Sequence, residues 1–184
     1  MNNLEQNETI ILIGFSTIFQ SRIGRFLADQ LKVPFYDLNE EVEKLLQRIP
    51  PNETDSIGWN EITNVEKNVL ANLILKKGSV IATSSDLVDD EENLNMLRYS
   101  DTAIIYLHGH FTETLAKYLA TQLFSDKEME QWAVDILKKI WESRDTSYRS
   151  IADLMIEISG KDAKEIAQEI AVFITTEVGE NDLF

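Results

Sequence analysis

Apolar and polar positions along the chain alternate between two periods. Thr9-Ile10-Ile11-Leu12-Ile13-Gly14 is an unbroken apolar run closed by glycine, which predicts a strand buried on both faces. From Ser21 the period lengthens: Ile23, Leu27 and Leu31 recur at helical spacing, with Ser21 placed to cap. Val33 to Asp37 predicts a second short strand, and Glu40 to Gln47 a helix with Val42, Leu45 and Leu46 as its apolar stripe. Arg48 to Ile57 holds Pro50, Pro51, Asn52 and Asp55 and reads as a loop. Ile62, Val65, Val69, Leu70, Leu73 and Ile74 then mark a long amphipathic helix, with Gly78 placed to end it. Ser79 to Thr83 is a third strand, Leu94, Met96 and Leu97 mark a short helix, and Thr102 to Leu107 is a fourth strand. Helices over Thr112 to Phe124 and Lys127 to Trp141 precede a last strand over Ala152 to Ile158. Asp162 opens a final helix, with Glu165 three residues on as in a capping box and Ile166, Ile170 and Ile174 as its stripe.

Strands that alternate with helices imply an α/β domain whose parallel sheet is covered on both faces. Ligands of such sheets bind at the carboxyl ends of the strands, so the loops after Ile13, Phe35, Ile81 and Leu107 are where chemistry is expected. The chain of 184 residues suits one core-bearing domain, placed at 9–176, with a polar extension at 1–8 and an acidic tail at 177–184.

Charge narrows the partners. With 17 basic and 32 acidic residues the net charge is -15, which disfavours nucleic acid or an anionic membrane surface, since both require basic patches. Solubility accounts for the surplus, or an acidic face for a basic protein partner. The absence of cysteine excludes disulfides and thiolate metal sites. The run around Thr9 to Phe15 is too short to span a bilayer, and the first eight residues lack the basic and apolar regions of a signal peptide, so the cytoplasm is the expected location.

The turn after the first strand reads Gly14-Phe15-Ser16-Thr17-Ile18-Phe19-Gln20-Ser21-Arg22. A working phosphate loop is G-x-x-x-x-G-K-[ST], in which backbone N–H groups close around phosphate, the lysine reaches the β- and γ-phosphates and the hydroxyl holds magnesium. On that pattern Gly14 and Ser21 fit, Phe19 replaces the second glycine and Gln20 replaces the lysine. Phe19 brings a β-carbon where the backbone must approach a ligand closely. Gln20 removes a full positive charge, and losing one preorganised charge-stabilising donor typically costs ~10²–10³ in rate.

Three further segments carry a specific resemblance. Ile23-Gly24-Arg25 with Leu27-Ala28, followed by Val33-Pro34-Phe35-Tyr36-Asp37, resembles the start of shikimate kinases. Val80-Ile81-Ala82-Thr83 resembles their strand leading into a triple-glycine loop, and Arg144, Tyr148 and Ile151-Ala152-Asp153 resemble their R-x-P-L-Y-x-x-x-A-D segment. Order and spacing agree over roughly residues 9–174. The resemblance implies a three-layer P-loop kinase fold with a five-stranded parallel sheet, and phosphoryl transfer from ATP to the 3-hydroxyl of shikimate with magnesium. It implies a nucleotide-binding role for Gly14, Gln20, Ser21 and Arg22, a magnesium-binding role for Ser21 and Asp37, a catalytic and substrate-binding role for Asp37, and a grip on the shikimate carboxylate for Arg144.

The chain departs from the family pattern at many of the positions that matter. Asn39 stands where a second aspartate holds shikimate hydroxyls, and Ile62 and Thr63 stand where a phenylalanine and a carboxylate-binding arginine belong, although Glu66 matches. Ser84-Ser85-Asp86 replaces the triple glycine, and Asp86 adds repulsion toward phosphate. The lid region Leu123 to Gln131 offers only Lys127 as a base, where the family carries an arginine. Phosphoryl transfer is mostly positioning and electrostatic stabilisation, so these changes predict a protein that keeps the fold with little or no kinase activity and a regulatory or binding role. The competing expectation is a functional shikimate kinase with a non-standard phosphate loop. ATP and magnesium are its cofactors if it is active, and shikimate, nucleotide or a protein its partner.

Each residue also has a plain structural reading. Arg22 or Arg25 reaches back to replace the lysine, or else faces solvent or a salt bridge. Arg144 holds a ligand or pairs with an acidic neighbour, Asp37 binds magnesium or caps a helix, and Ser21 binds magnesium or caps. His108 and His110 make a weak metal pair without a third ligand. Trp59, Trp132 and Trp141 are expected in the core or against the lid.

Overall fold

The computed structural model describes residues 8–15, 17–47, 59–112 and 127–179. Its sheet has five strands, all paired in parallel, in the order β2-β3-β1-β4-β5. These are β1 (Thr9–Gly14), β2 (Phe35–Asp37), β3 (Val80–Ala82), β4 (Thr102–His108) and β5 (Leu154–Glu157). Six helices accompany them among the described residues: α1 (Thr17–Leu31), α2 (Leu38–Leu46), α3 (Trp59–Leu73), α4 (Glu91–Arg98), α5 (Lys127–Ile151) and α6 (Ala163–Gly179). A 3-10 turn, Leu87–Asp89, follows β3.

The apolar run of β1 explains the layering. Side chains alternate across a strand, so Ile10 and Leu12 enter one core with Ile23 and Leu27 of α1 and Ile166 and Ile170 of α6. Ile11 and Ile13 enter the other, with Leu38 of α2, Leu70 of α3, Leu97 of α4 and Tyr148 of α5. Both faces of the sheet are therefore covered, as an all-parallel sheet requires. Each fully buried Ile or Leu contributes about 1.5–3 kcal/mol.

Several boundaries differ from the sequence expectation for identifiable reasons. The first helix starts at Thr17, before Ser21, so Ser21 lies inside it and is not its cap. Phe19 packs against the core between α1 and α6, which anchors that extra turn where a phosphate loop would have glycine. Leu45 is exposed, and Leu38, one residue after the cap, is the buried residue of α2. Gly78 does not end α3, which stops at Leu73; its φ of +64° serves the turn into β3 instead. The fifth helix runs ten residues past Trp141, to Ile151, because Tyr148 and Ile151 continue its buried side. Trp132 is 65% exposed rather than in the core, and Trp141 meets Phe111 with ring centres 5.7 Å apart. The expected capping box forms: Glu165 and Lys164 donate backbone N–H to Asp162 Oδ1, and Asp162 N–H donates to Glu165 Oε2 at 2.8 Å. The expectations for the 48–57 loop, the 112–124 helix past residue 112, the side chains of Trp59 and of the lid base Lys127, and the tail past 179 fall outside the described residues.

Candidate functional site

At the carboxyl end of the sheet, β1 and β4 pass so close that a β-carbon on Gly14 would lie 2.8 Å from the Leu107 carbonyl oxygen. Only glycine fits that crossing. The Gly14 carbonyl then turns toward the start of α1, where Gln20 is 1% exposed and donates its Nε2 to it at 3.1 Å. The reverse amide orientation would set two acceptors face to face. The side chain at the lysine position is thus folded back on its own loop, and its other end, Oε1, is buried with no hydrogen-bond partner among the described residues. An orphaned acceptor is the wrong group to meet a triphosphate, whose oxygens are acceptors themselves.

Tyr148 of α5 completes the lock. Its hydroxyl lies 2.9 Å from the Gly14 carbonyl oxygen and also within hydrogen-bond reach of the Ser85 carbonyl oxygen, so one phenol ties the loop after β1 to the loop after β3. Burial pushes the Tyr148 phenol well above its ordinary pKa and Arg144 pulls the other way, so it stays neutral. Its ring packs at 4.9 Å on Tyr106, whose hydroxyl donates to Asp145 Oδ1 at 2.7 Å. Burial disfavours the Asp145 carboxylate, but hydrogen bonds from Arg149 and Tyr106 outweigh it and hold that carboxyl below the usual range.

Ser21 and Asp37 come together. The Ser21 hydroxyl donates to Asp37 Oδ2, while Asp37 Oδ1 accepts the backbone N–H groups of Asn39 at 3.0 Å and Glu40 at 3.3 Å. Asp37 is therefore the N-cap of α2. A hydroxyl beside a carboxylate is also a donor pair suited to magnesium, which takes oxygen ligands. The oxygen pair fits the metal; Gln20 next to it brings no charge to the triphosphate that the metal would accompany.

The arginines divide. Arg25 is held away from the loop by Glu40 and by Phe35, whose ring lies 4.8 Å below its guanidinium. Arg22 is exposed and makes no ion pair among the described residues. Arg144 reaches the cleft and grips a carboxylate, that of Asp89: Nε lies 3.0 and 3.1 Å from its two oxygens and Nη2 lies 2.5 Å from Oδ2.

Beside them the loop after β3 is acidic. Glu66 of α3 accepts the Ser84 hydroxyl, and its carboxyl is raised above its ordinary pKa by burial first and by the charges of Asp86 and Asp90. His108 lies with Nδ1 3.2 Å from Glu157 Oε2 across the β4–β5 pair. No group of three His, Cys, Asp or Glu side chains is placed to hold a metal among the described residues.

The family model for shikimate kinase matches residues 20–175. This chain belongs to the shikimate kinase family. It is 29% identical over 167 residues to Shikimate kinase 1 of Salmonella newport, covering 91% of this chain and 96% of the relative. Two solved structures agree in fold. A shikimate kinase from Acinetobacter baumannii, in complex with shikimate, superposes with a TM-score of 0.74 at 25% identity, covering 94% of this chain and 96% of that one. The shikimate kinase of Aquifex aeolicus gives 0.70 at 27% identity, covering 95% and 98%. The sheet and its two helical layers are those of the P-loop kinase fold expected for a shikimate kinase. No described helix is long and apolar enough to cross a membrane.

Of the residues singled out in the sequence, the shikimate kinase fold brings Gly14, Gln20, Ser21, Asp37 and Arg144 to one end of the sheet and leaves Arg22 at the surface. Two further participants were given no role by the sequence: Asp89 was not singled out, and Tyr148 was named only as part of the family segment. Asp89 lies 55 positions from its partner Arg144, and the hydroxyl of Tyr148 bridges segments 63 and 134 residues away. The one available signal for Tyr148 was its place in the R-x-x-x-Y spacing with Arg144.

Proposed function

We propose that this chain keeps the shikimate kinase fold with little or no phosphoryl-transfer activity and serves a regulatory or ligand-binding role. The reading rests on one observation. Where the family places a lysine to neutralise the β- and γ-phosphates, Gln20 is buried and spends its donor on Gly14. Among the described residues no cation stands in for it, because Arg25 is committed to Glu40 and Arg22 points to solvent. In this reading the phosphate loop is a closed structural turn, with Phe19 filling core volume and Tyr148 clamping the Gly14 carbonyl.

A second reading has an observation of its own. The Ser21–Asp37 pair matches the family's magnesium-binding hydroxyl and its first aspartate, and Arg144 matches the carboxylate-binding arginine. On that reading the chain transfers the γ-phosphate of ATP to the 3-hydroxyl of shikimate, with Ser21 and Asp37 at magnesium and Arg22 supplying the missing charge.

Nucleotide binding separates the two. A ligand at 100 times its dissociation constant adds about 2.7 kcal/mol of stability. With 5 mM magnesium-ATP, the first reading expects no thermal shift and no calorimetric heat. A shift abolished by Ser21→Ala or Arg22→Ala would overturn it in favour of the second.

A further inference from the structure

The 3-10 turn after β3 is fixed in place, since Leu87 and Val88 are both buried in the core below α3 and α5. Asp89 ends that turn and projects toward α5. There Arg144 is only 15% exposed at its side chain, while Asp89 is 52% exposed. The contact is a fork: Nε and Nη2 of Arg144 both meet the Asp89 carboxylate, and the third nitrogen, Nη1, lies 3.5 Å from Ser85 Oγ. The guanidinium carbon also lies 5.7 Å from the centre of the Phe15 ring, at the mouth of the loop after β1. Burial opposes the charge on Arg144, but the hydrogen bond and charge of Asp89 outweigh it and hold its pKa above the ordinary value.

We propose that Asp89 is the built-in occupant of this carboxylate grip, so that a free carboxylate must compete with Asp89 for the Nε/Nη2 edge and the charge of Arg144. The inference rests on the reading of Arg144 as a ligand-binding arginine. A guanidinium can pair bidentately with a carboxylate along either of two edges; Asp89 fills the Nε/Nη2 edge, and Ser85 Oγ stands 3.5 Å from Nη1 on the other. The competitor is tethered, so it acts at an effective concentration of millimolar or more. Displacement is feasible because Asp89 is half exposed: swung outward it returns to water, whereas Arg144 is mostly enclosed and would be left with the incoming anion. The device makes the cleft selective against weak or dilute carboxylates and tunable by anything that moves the turn.

The test is calorimetric titration of the full chain and its Asp89→Ala and Asp89→Asn variants with shikimate, and with shikimate methyl ester as the uncharged control. Removing the tethered carboxylate should tighten shikimate binding about tenfold or more in both variants. The gain should vanish when Arg144→Ala is added and should be absent for the ester. The Arg144 Nε–H signal in a nitrogen-15 spectrum supplies a second readout: protected in the wild type, exposed in Asp89→Ala, and protected again on adding shikimate. Equal affinities in wild type and both variants overturn the proposal, as does a lack of binding in all three. Turnover in the same samples is scored separately. Product from the wild type would sink the low-activity reading without touching the affinity difference, and equal affinities would sink the Asp89 inference without touching that reading.

Discussion

Replacing Tyr148 by phenylalanine removes one hydroxyl and keeps the ring that packs 4.9 Å from Tyr106. The hydroxyl is fully buried and serves the carbonyls of Gly14 and Ser85 with a single proton. In the variant, the Gly14 carbonyl retains its bond from Gln20 Nε2 at 3.1 Å. The Ser85 carbonyl loses its partner. One lost buried hydrogen bond is worth ~1 kcal/mol net, and an orphaned buried acceptor adds ~1–3 kcal/mol when water cannot reach it. Ser85 is only half-buried, so the lower part of that range applies and the expected loss is about 2 kcal/mol. For a domain of this size that is a fall of about 4–8 °C in Tm. Urea unfolding followed by tryptophan fluorescence should show a lower midpoint with an unchanged m-value. A loss under about 0.5 kcal/mol would mean that the hydroxyl does not clamp the two loops, and the closed turn described above would lose its support.

Three further outcomes follow from the same contacts. Gly24→Ala in α1 should destabilise by about 1–3 kcal/mol despite the better helix propensity of alanine, because its β-carbon would lie 2.5 Å from the Phe35 ring, itself pinned by Arg25; a stabilised variant in urea unfolding would contradict this. Asp37→Ala should cost about 1–2 kcal/mol through loss of the α2 cap, whether or not magnesium is present; a cost that appears only with magnesium would make Asp37 a ligand first. Glu66 has its carboxyl pKa raised by burial, so the folded state holds its proton more tightly than the unfolded state. Ionising it therefore costs stability as pH rises from about 4.5 through the raised value, and Glu66→Gln should gain on the wild type over that interval and hold the gain above it. Parallel urea midpoints from pH 4 to 8 read this directly, and a gap that closes with rising pH would reverse the assignment.

The architecture was legible because β1 carries four consecutive apolar residues, Ile10 to Ile13, and because the other elements carry a stripe or a cap. The capping box at Asp162 and Glu165 is local, so spacing alone revealed it. Helix α1 was misread at its start because Gly14 to Ser21 was laid on the phosphate-loop pattern, although Phe19 stands four residues before Ile23 and extends the same stripe into the core. The last ten residues of α5 were missed because Arg144, Asp145 and Arg149 make them look like surface, although Tyr148 is fully buried among them. Within the site, the identities of Gln20, Ser21, Asp37 and Arg144 were readable but their partners were not. Ser21 and Asp37 meet across α1 and β2, and Arg144 and Asp89 across α5 and the turn after β3. Such pairs depend on the packing of whole elements, which no periodicity encodes.

The proposal of little or no phosphoryl transfer is tested most directly by incubating the protein at high concentration with magnesium, ATP and shikimate, and measuring shikimate 3-phosphate by mass spectrometry against a Ser21→Ala, Asp37→Ala double variant. The buried, self-bonded Gln20 predicts no product above that control. Product that the double substitution abolishes would show that the cleft still transfers phosphate and that another group supplies the charge Gln20 lacks.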